Sequence, residues 1–334
     1  MSEQKLTGFP SIDKPWLKYY KDVDIHTPDP NTSICRFLYE NNKDNLSDTA
    51  LNYFGRKISF GELFENIDKV ASALLALGVK PGEIVSICAL NTPEFVYLLY
   101  AVNKIGAVSN WIGLTSPEVD LHNQLVSTDS KVVFTVDVAY ELITKSAKDS
   151  SVEKIISVPL VNSMPIAVKT IAKMKNKSRL SGGIPWKAFI KSATGKADHA
   201  DLNADDMAII EYTGGSTGVP KGVMLSNKNL NSYYISFFVA NHSALSAFNR
   251  GDVYLLIVPL FLGFGMSCCH TPLQHPMSLL LAPDPSPDEG ANVVLKYRPN
   301  HITVGRLMIE SLIQITNRKQ ADLAFLKTVL YGGE

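Results

Sequence analysis

The run Tyr212-Thr213-Gly214-Gly215-Ser216-Thr217-Gly218-Val219-Pro220-Lys221-Gly222 holds the densest set of chemically useful residues in the 334-residue chain. Gly214, Gly215, Gly218 and Gly222 permit backbone conformations that a β-carbon forbids. They also let backbone N–H groups close on an anion. Thr213, Ser216 and Thr217 add hydroxyl donors, and Lys221 adds a mobile positive charge suited to phosphate. Thr213, Gly214, Gly215, Ser216, Thr217, Gly218 and Lys221 are therefore a candidate polyphosphate cradle. The plainer alternative is a flexible surface loop, because Gly, Ser, Thr and Pro are ordinary turn residues. Two common phosphate patterns are excluded. A Walker loop needs Gly-Lys-Ser/Thr, whereas Lys221 follows proline and precedes glycine. A dinucleotide loop opens directly into a helix, whereas a short apolar run, Val223-Met224-Leu225, intervenes here.

The elements that must hold this loop follow from periodicity. Residues 60–77 read as an amphipathic helix with Leu63, Ile67, Val70, Leu74 and Leu77 on one face and Gly78 closing its C-terminus. A turn at Lys80-Pro81-Gly82 leads to a buried strand at 84–90. Thr92 is placed to cap the next helix, with Pro93 at its first position, and that helix runs to about Gly106. Strands are expected at 107–112, 131–136, 207–212, 253–258, 301–305 and 326–330, the last one buried. Helices are expected at 118–128 and after Ser226 or Asn227. Strands alternating with helices make the fold class α/β, with mostly parallel sheets covered by helices on both faces. The expected organisation is an N-terminal extension over 1–46, a first subdomain over 47–200 and a second over 201–334 that carries the loop. Within the first, residues 154–197 hold nine basic residues and no acidic one. They read as a solvated basic excursion. A peripheral membrane contact through Ile166, Ile171 and Met174 is the alternative.

Composition narrows the function. Thirty-two basic residues balance thirty-two acidic ones, so there is no overall attraction to nucleic acid. Cys35, Cys88, Cys268 and Cys269 lack metal-ligand or redox spacing and read as reduced, buried thiols of a cytoplasmic protein. Val253 to Ala282 carries no Asp, Glu, Lys or Arg, long enough for a membrane span. Pro259, Gly263, Gly265, Pro272 and Pro276 interrupt it, which favours a buried strand plus a buried helix.

The glycine-rich loop resembles the signature of AMP-forming adenylating enzymes: acyl-CoA synthetases, peptide-synthetase adenylation domains and luciferases. The likeness continues through Val223-Met224-Leu225-Ser226 and Asn229-Leu230, ISFGEL (58–63), residues 77–108, Leu121 to Thr135, PLFLGFG (259–265) and YGGE (331–334). It covers roughly residue 47 to the end, and Gly214 leans toward the long-chain fatty acyl-CoA branch. The resemblance implies the large N-terminal domain of the acyl-adenylate-forming fold. It also implies ATP with Mg2+, a carboxylic acid and CoA as the small-molecule partners, an acyl pocket at Phe261, Leu262 and Gly263, and an adenine-side segment at Gly332, Gly333 and Glu334.

Two departures qualify what the resemblance implies. Leu262 stands where many acyl-CoA synthetases carry histidine and amino-acid-activating members carry aspartate. A leucine cannot pair a buried ammonium, so the expected substrate is an acid with an apolar body, unless a neighbouring position supplies the charge. The later motifs of the family lie beyond Glu334: a glutamate that serves magnesium, an aspartate that binds the ribose, and the small domain with the catalytic lysine. No catalytic residue and no metal ligand is therefore assigned within the chain. On that expectation the 334 residues alone are inert and poorly soluble. A non-catalytic nucleotide- or acyl-binding protein and an adenylation domain serving a carrier-protein thiol stay open as alternatives.

Overall fold

The computed structural model describes residues 7–19, 30–175, 183–213, 220–240 and 248–332. Its helices start and stop where the sequence supplies the caps. Ser59 opens the Phe60–Ala76 helix with a capping box: Ser59 Oγ accepts from the Glu62 N–H, and the Glu62 carboxylate accepts from the Ser59 N–H. Gly78, at φ +97°, closes it. The Gly78 N–H donates to Leu75 O and the Val79 N–H to Leu74 O. Leu63, Ile67, Val70 and Leu74 are buried, as the period demands. Ser226 caps the Asn227–Ala240 helix by a reciprocal pair of bonds with Asn229. Thr92 does not cap as expected. Its hydroxyl is buried without a partner, and the Pro93–Lys104 helix starts on the preset φ of Pro93, with Glu94 in its first turn.

Two sheets form the frame. One joins β3 (Ile84–Cys88), β4 (Val108–Ile112), β5 (Val132–Val136), β6 (Lys154–Val158), β7 (Ile184–Pro185), β8 (Met207–Thr213) and β9 (Lys221–Ser226) in the order β7-β6-β5-β3-β4-β8-β9. The other joins β1 (Thr49–Tyr53), β2 (Arg56–Ser59), β10 (Val253–Leu256), β11 (Ser278–Leu281), β12 (His301–Val304) and β13 (Thr328–Tyr331) in the order β13-β12-β10-β11-β1-β2. Pairing is parallel except at the hairpins β1–β2 and β8–β9. The sheets ignore the expected boundary at residue 200. β1 and β2 cross into the later sheet, and β8 and β9 return to the earlier one. A boundary drawn along the chain cannot register such crossovers.

Three further readings are corrected or refined. Much of 154–197 is built into the sheet. β6 pairs on both sides, and Trp186 and Phe189 pack edge-on against buried Phe134, so these parts of the segment are integral to the fold. Lys154 is one example, its Nζ reaching Leu77 O at 2.8 Å. Of the apolar face read there, Ile166 and Ile171 are exposed, while the side chain of Met174 lies outside the described residues. The strand expected at 326–330 runs from Thr328 to Tyr331 at a sheet edge, with Val329 and Tyr331 exposed, because among the described residues only β12 pairs with it. The uncharged stretch from Val253 is, as expected, a buried strand and a buried helix, Gly263–Gln274. Among the described residues no helix is long and apolar enough to cross a membrane.

The Gly263–Gln274 helix is fixed by a buried polar cluster. His270 Nδ1 accepts from the Tyr100 hydroxyl and the Gln274 amide, so its Nε2–H donates to Asn231 Oδ1. These bonds suit the neutral imidazole with its proton on Nε2, and burial lowers the His270 pKa to about 3. The unfolded chain takes up that proton near 6.5, so stability present above that pH is lost as the pH falls toward 3. We expect His270→Ala to lower the unfolding free energy in urea by roughly 2 kcal/mol at pH 8, since it orphans buried partners. A variant with unchanged stability would show that the cluster does not hold the helix.

Candidate functional site

The candidate cradle hangs from the β8–β9 hairpin. Thr213 and Lys221 are cross-strand partners at its mouth, both exposed, and the loop residues Gly214, Gly215, Ser216, Thr217 and Gly218 between them lie outside the described residues. Cross-strand partners share a face, so the pairs Glu211–Val223 and Thr213–Lys221 point to one side of the hairpin. Ile210, Tyr212, Gly222 and Met224 point to the other, where they line a cavity with Asp120, Gln124 and Ser127.

The first face looks toward Pro259–Gly265. That segment turns sharply: a β-carbon on Gly265 would lie 2.0 Å from Pro259 O, so only glycine lets the helix start so close to the strand end. Gly263 has the same property toward β8, since a β-carbon there would stand 2.8 Å from Glu211 Oε2. The stem of the cradle and the expected acyl element are thus in contact through Glu211 and Gly263. Phe261 is partly buried, and a β-carbon on Gly113 would approach its ring to 3.4 Å. Leu262, at the N-cap of the helix, is 42% exposed. Gly332 follows β13, and its N–H reaches Val304 O; Gly333 and Glu334 lie outside the described residues.

Asn91, which sequence reasoning passed over as part of a turn, holds this geometry. It is 2% exposed and follows β3, yet its side chain binds the far ends of the other sheet. Nδ2 donates to Leu256 O at 3.2 Å, Val258 O at 3.1 Å and Ala282 O at 3.2 Å. Oδ1 accepts the Leu260 N–H at 3.1 Å. One amide therefore satisfies carbonyls at the ends of β10 and β11 and a donor in the turn that leads to Gly263.

Glu211 lies within the strand expected at 207–212 and is not singled out by the sequence. It is 6% exposed, its Oε1 has no hydrogen-bond partner, and burial alone raises its pKa from 4.5 to about 7. The available signal was a carboxylate in MAIIEY two residues before the cradle, where a strand with both faces covered has no need of one. Among the described residues no group of three or more His, Cys, Asp or Glu side chains could hold a metal ion.

Comparison with known proteins places this geometry. A family model described as AMP-binding enzyme matches residues 38–334. The chain is 24% identical over 335 residues to a long-chain-fatty-acid–CoA ligase of Bacillus subtilis (strain 168), covering 96% of this chain and 58% of that protein. It is 26% identical over 317 residues to an acetyl-coenzyme A synthetase of Escherichia coli (strain K12), covering 89% of this chain and 46% of that one. Among solved structures, a long-chain-fatty-acid-CoA ligase from Archaeoglobus fulgidus superposes with a TM-score of 0.76 at 20% identity, over 92% of this chain and 59% of that one. The chain thus spans about half the length of the relatives it matches, and its fold is that of the N-terminal part of acyl-adenylate-forming enzymes.

Two stability measurements check the site. Asn91→Ala takes the side-chain donor from Val258 O and Ala282 O and the acceptor from the Leu260 N–H, while Leu256 O keeps the Ala282 N–H, and we expect it to lower the unfolding free energy in urea by about 3 kcal/mol. A change under about 1 kcal/mol would mean that water or neighbours replace the amide. Glu211 ionises near 4.5 when unfolded and near 7 when folded, so its contribution is full below pH 4.5 and is lost as the pH rises to 7. The corresponding cost above pH 7 is on the order of 3 kcal/mol. Glu211→Gln is therefore expected to be more stable than the wild type at pH 8, with the advantage gone by pH 4. A pH-independent difference would contradict the buried acid.

Proposed function

The chain belongs to the AMP-binding enzyme family, and from that premise we propose that it binds ATP and a carboxylic acid and takes part in joining the acid to a thiol, with CoA as acceptor. In the proposed reaction a carboxylate oxygen attacks the α-phosphorus of ATP, pyrophosphate leaves, and the thiol displaces AMP from the acyl-adenylate. The work of the protein is to hold two anions at attack distance and to balance the developing charge. Mg2+ enters with the nucleotide and supplies counter-charge to the phosphates.

The observation that carries this reading is the contact of the Thr213–Lys221 hairpin mouth with the Pro259–Gly265 turn through Glu211 and Gly263. It sets a phosphate-binding stem beside an apolar element, as a two-substrate reaction of this kind requires. We assign Thr213, Gly214, Gly215, Ser216, Thr217, Gly218 and Lys221 to the phosphates. Phe261, Leu262 and Gly263 go to the acyl group, and Gly332, Gly333 and Glu334 to the adenine side. Leu262 and Phe264 present apolar surface at the turn, which favours an acid with an apolar body. The named relatives act on a long-chain fatty acid and on acetate; between them, the apolar surface favours the fatty acid.

The test is acid-dependent exchange of labelled pyrophosphate into ATP, together with direct measurement of ATP binding, across a panel of fatty, aromatic and amino acids. Measured in a protein of the relatives' full length that carries these residues, fatty acids are expected to stimulate exchange and amino acids to leave it at background; the reverse order would sink the substrate assignment. Lys221→Ala removes one charged contact and is expected to slow exchange by about 10²- to 10³-fold, and Gly218→Val to do likewise by blocking backbone approach. Unchanged exchange and ATP affinity in both variants would show that the phosphates bind elsewhere.

A further inference from the structure

Glu211 is a puzzle for a site that must gather anions. An ionised carboxylate two residues before the cradle would repel both a triphosphate and a carboxylate substrate. Lys221, on the same face and opposite Thr213 at the exposed mouth, does not bear on it, since burial alone sets its proton affinity. From β4 the facing partner is Trp111, from β9 Val223, and from the turn Gly263, and none of these is charged. Among the described residues no hydrogen-bond donor reaches the buried Oε1 of Glu211. Gly263, which makes room for its other oxygen, begins a twelve-residue helix, Gly263–Gln274. The first N–H groups of a helix lack intrahelical partners and draw negative charge. That pull acts on Glu211 as well, but burial outweighs it and keeps the acid protonated toward neutrality, which leaves the N–H groups to a ligand anion.

We propose that Glu211 serves as a protonated carboxylic acid that donates a hydrogen bond to an anionic oxygen of the bound substrates, at the junction of the cradle and the Pro259–Gly265 turn. This assignment rests on the reading of the site as one for ATP and an acid, and it adds a binding residue to it. The oxygen belongs either to the carboxylate of the acid or to a phosphate of the nucleotide; both present the same acceptor. Burial keeps the proton near neutral pH without a partner, and an arriving anion holds it more tightly still, by linkage. Binding is then coupled to proton uptake, and a rise in pH through neutrality releases substrate. The glycine at 263 becomes part of the same device, since any side chain there would displace the acid from the junction.

The experiment measures the dissociation constants of ATP alone and of octanoate alone by calorimetry at pH 6 and pH 8, in two buffers of different ionisation enthalpy. Wild type, Glu211→Gln and Glu211→Leu are compared, with thermal midpoints confirming that each is folded. If only the protonated acid accepts the anion, wild-type affinity should weaken roughly tenfold from pH 6 to pH 8, with net proton uptake at pH 8. The Gln variant keeps a donor that does not titrate, so it should bind at both pH values as the wild type does at pH 6, without the Glu211-dependent uptake. The Leu variant should bind weakly at both. The arm in which wild type and Gln variant differ in slope identifies the oxygen, phosphate or carboxylate. Equal slopes for wild type and the Gln variant in both arms would overturn the proposal while leaving the proposed function standing. Failure of the wild type to bind either ATP or octanoate at any pH would overturn the proposed function and this inference with it.

Discussion

The arrangement of the candidate site depends on one buried amide. Asn91 leaves the end of β3 in the seven-stranded sheet and spends its whole hydrogen-bonding capacity on the six-stranded one, at Leu256, Val258, Ala282 and Leu260. Past the last ladder bond, where the Ala282 N–H reaches Leu256 O, the carbonyls of Val258 and Ala282 need another donor, and buried carbonyls are costly to leave without one. An asparagine is well suited, because it carries a two-proton donor and an acceptor on one short, rigid group. The consequence is geometric. The turn after β10 is pinned at Leu260, the Gly263–Gln274 helix starts at a fixed place, and its first residue meets Glu211 at the stem of the cradle.

That chain of contacts puts two demands on the same few residues. The cradle requires glycines and a cation at the mouth of the hairpin, and the turn requires glycine at 263 and 265 so that backbone and carboxyl can close together. The His270 cluster then holds the far end of the helix against Tyr100 and Asn231. A helix tied at both ends by buried polar groups cannot slide without orphaning them, so the position of its N-terminus is stiff. Stiffness is what positioning of two anionic reactants calls for.

Much of this was legible in the sequence, and what was not has physical reasons. The Phe60–Ala76 helix announced itself through the face of Leu63, Ile67, Val70 and Leu74 and through Gly78, because period and caps act within a few residues of one another. The candidate cradle stands out in the sequence because its residues form one continuous run. The sheet membership of β1 and β2 was not, since a crossover is decided by pairing with β11, more than two hundred residues away. The same holds for Asn91 and Glu211. An asparagine in a turn and a glutamate in a strand look local, and their roles appear only when Leu256, Ala282 and Gly263 are brought to them from the other end of the chain. The reading of 154–197 as a solvated excursion weighed its basic residues without the buried Ile156 and Val158 of β6.

The central claim, that the Asn91 amide ties the two sheets together at the site, is tested most directly by native-state hydrogen exchange at a single proton. The Leu260 N–H has Asn91 Oδ1 as its acceptor and is fully buried. If Asn91 is the tie, this amide opens only with the core, and its exchange free energy should match that of the β10 and β3 amides. Exchange of Leu260 at the rate of an exposed turn, while β10 and β3 stay protected, would contradict the account.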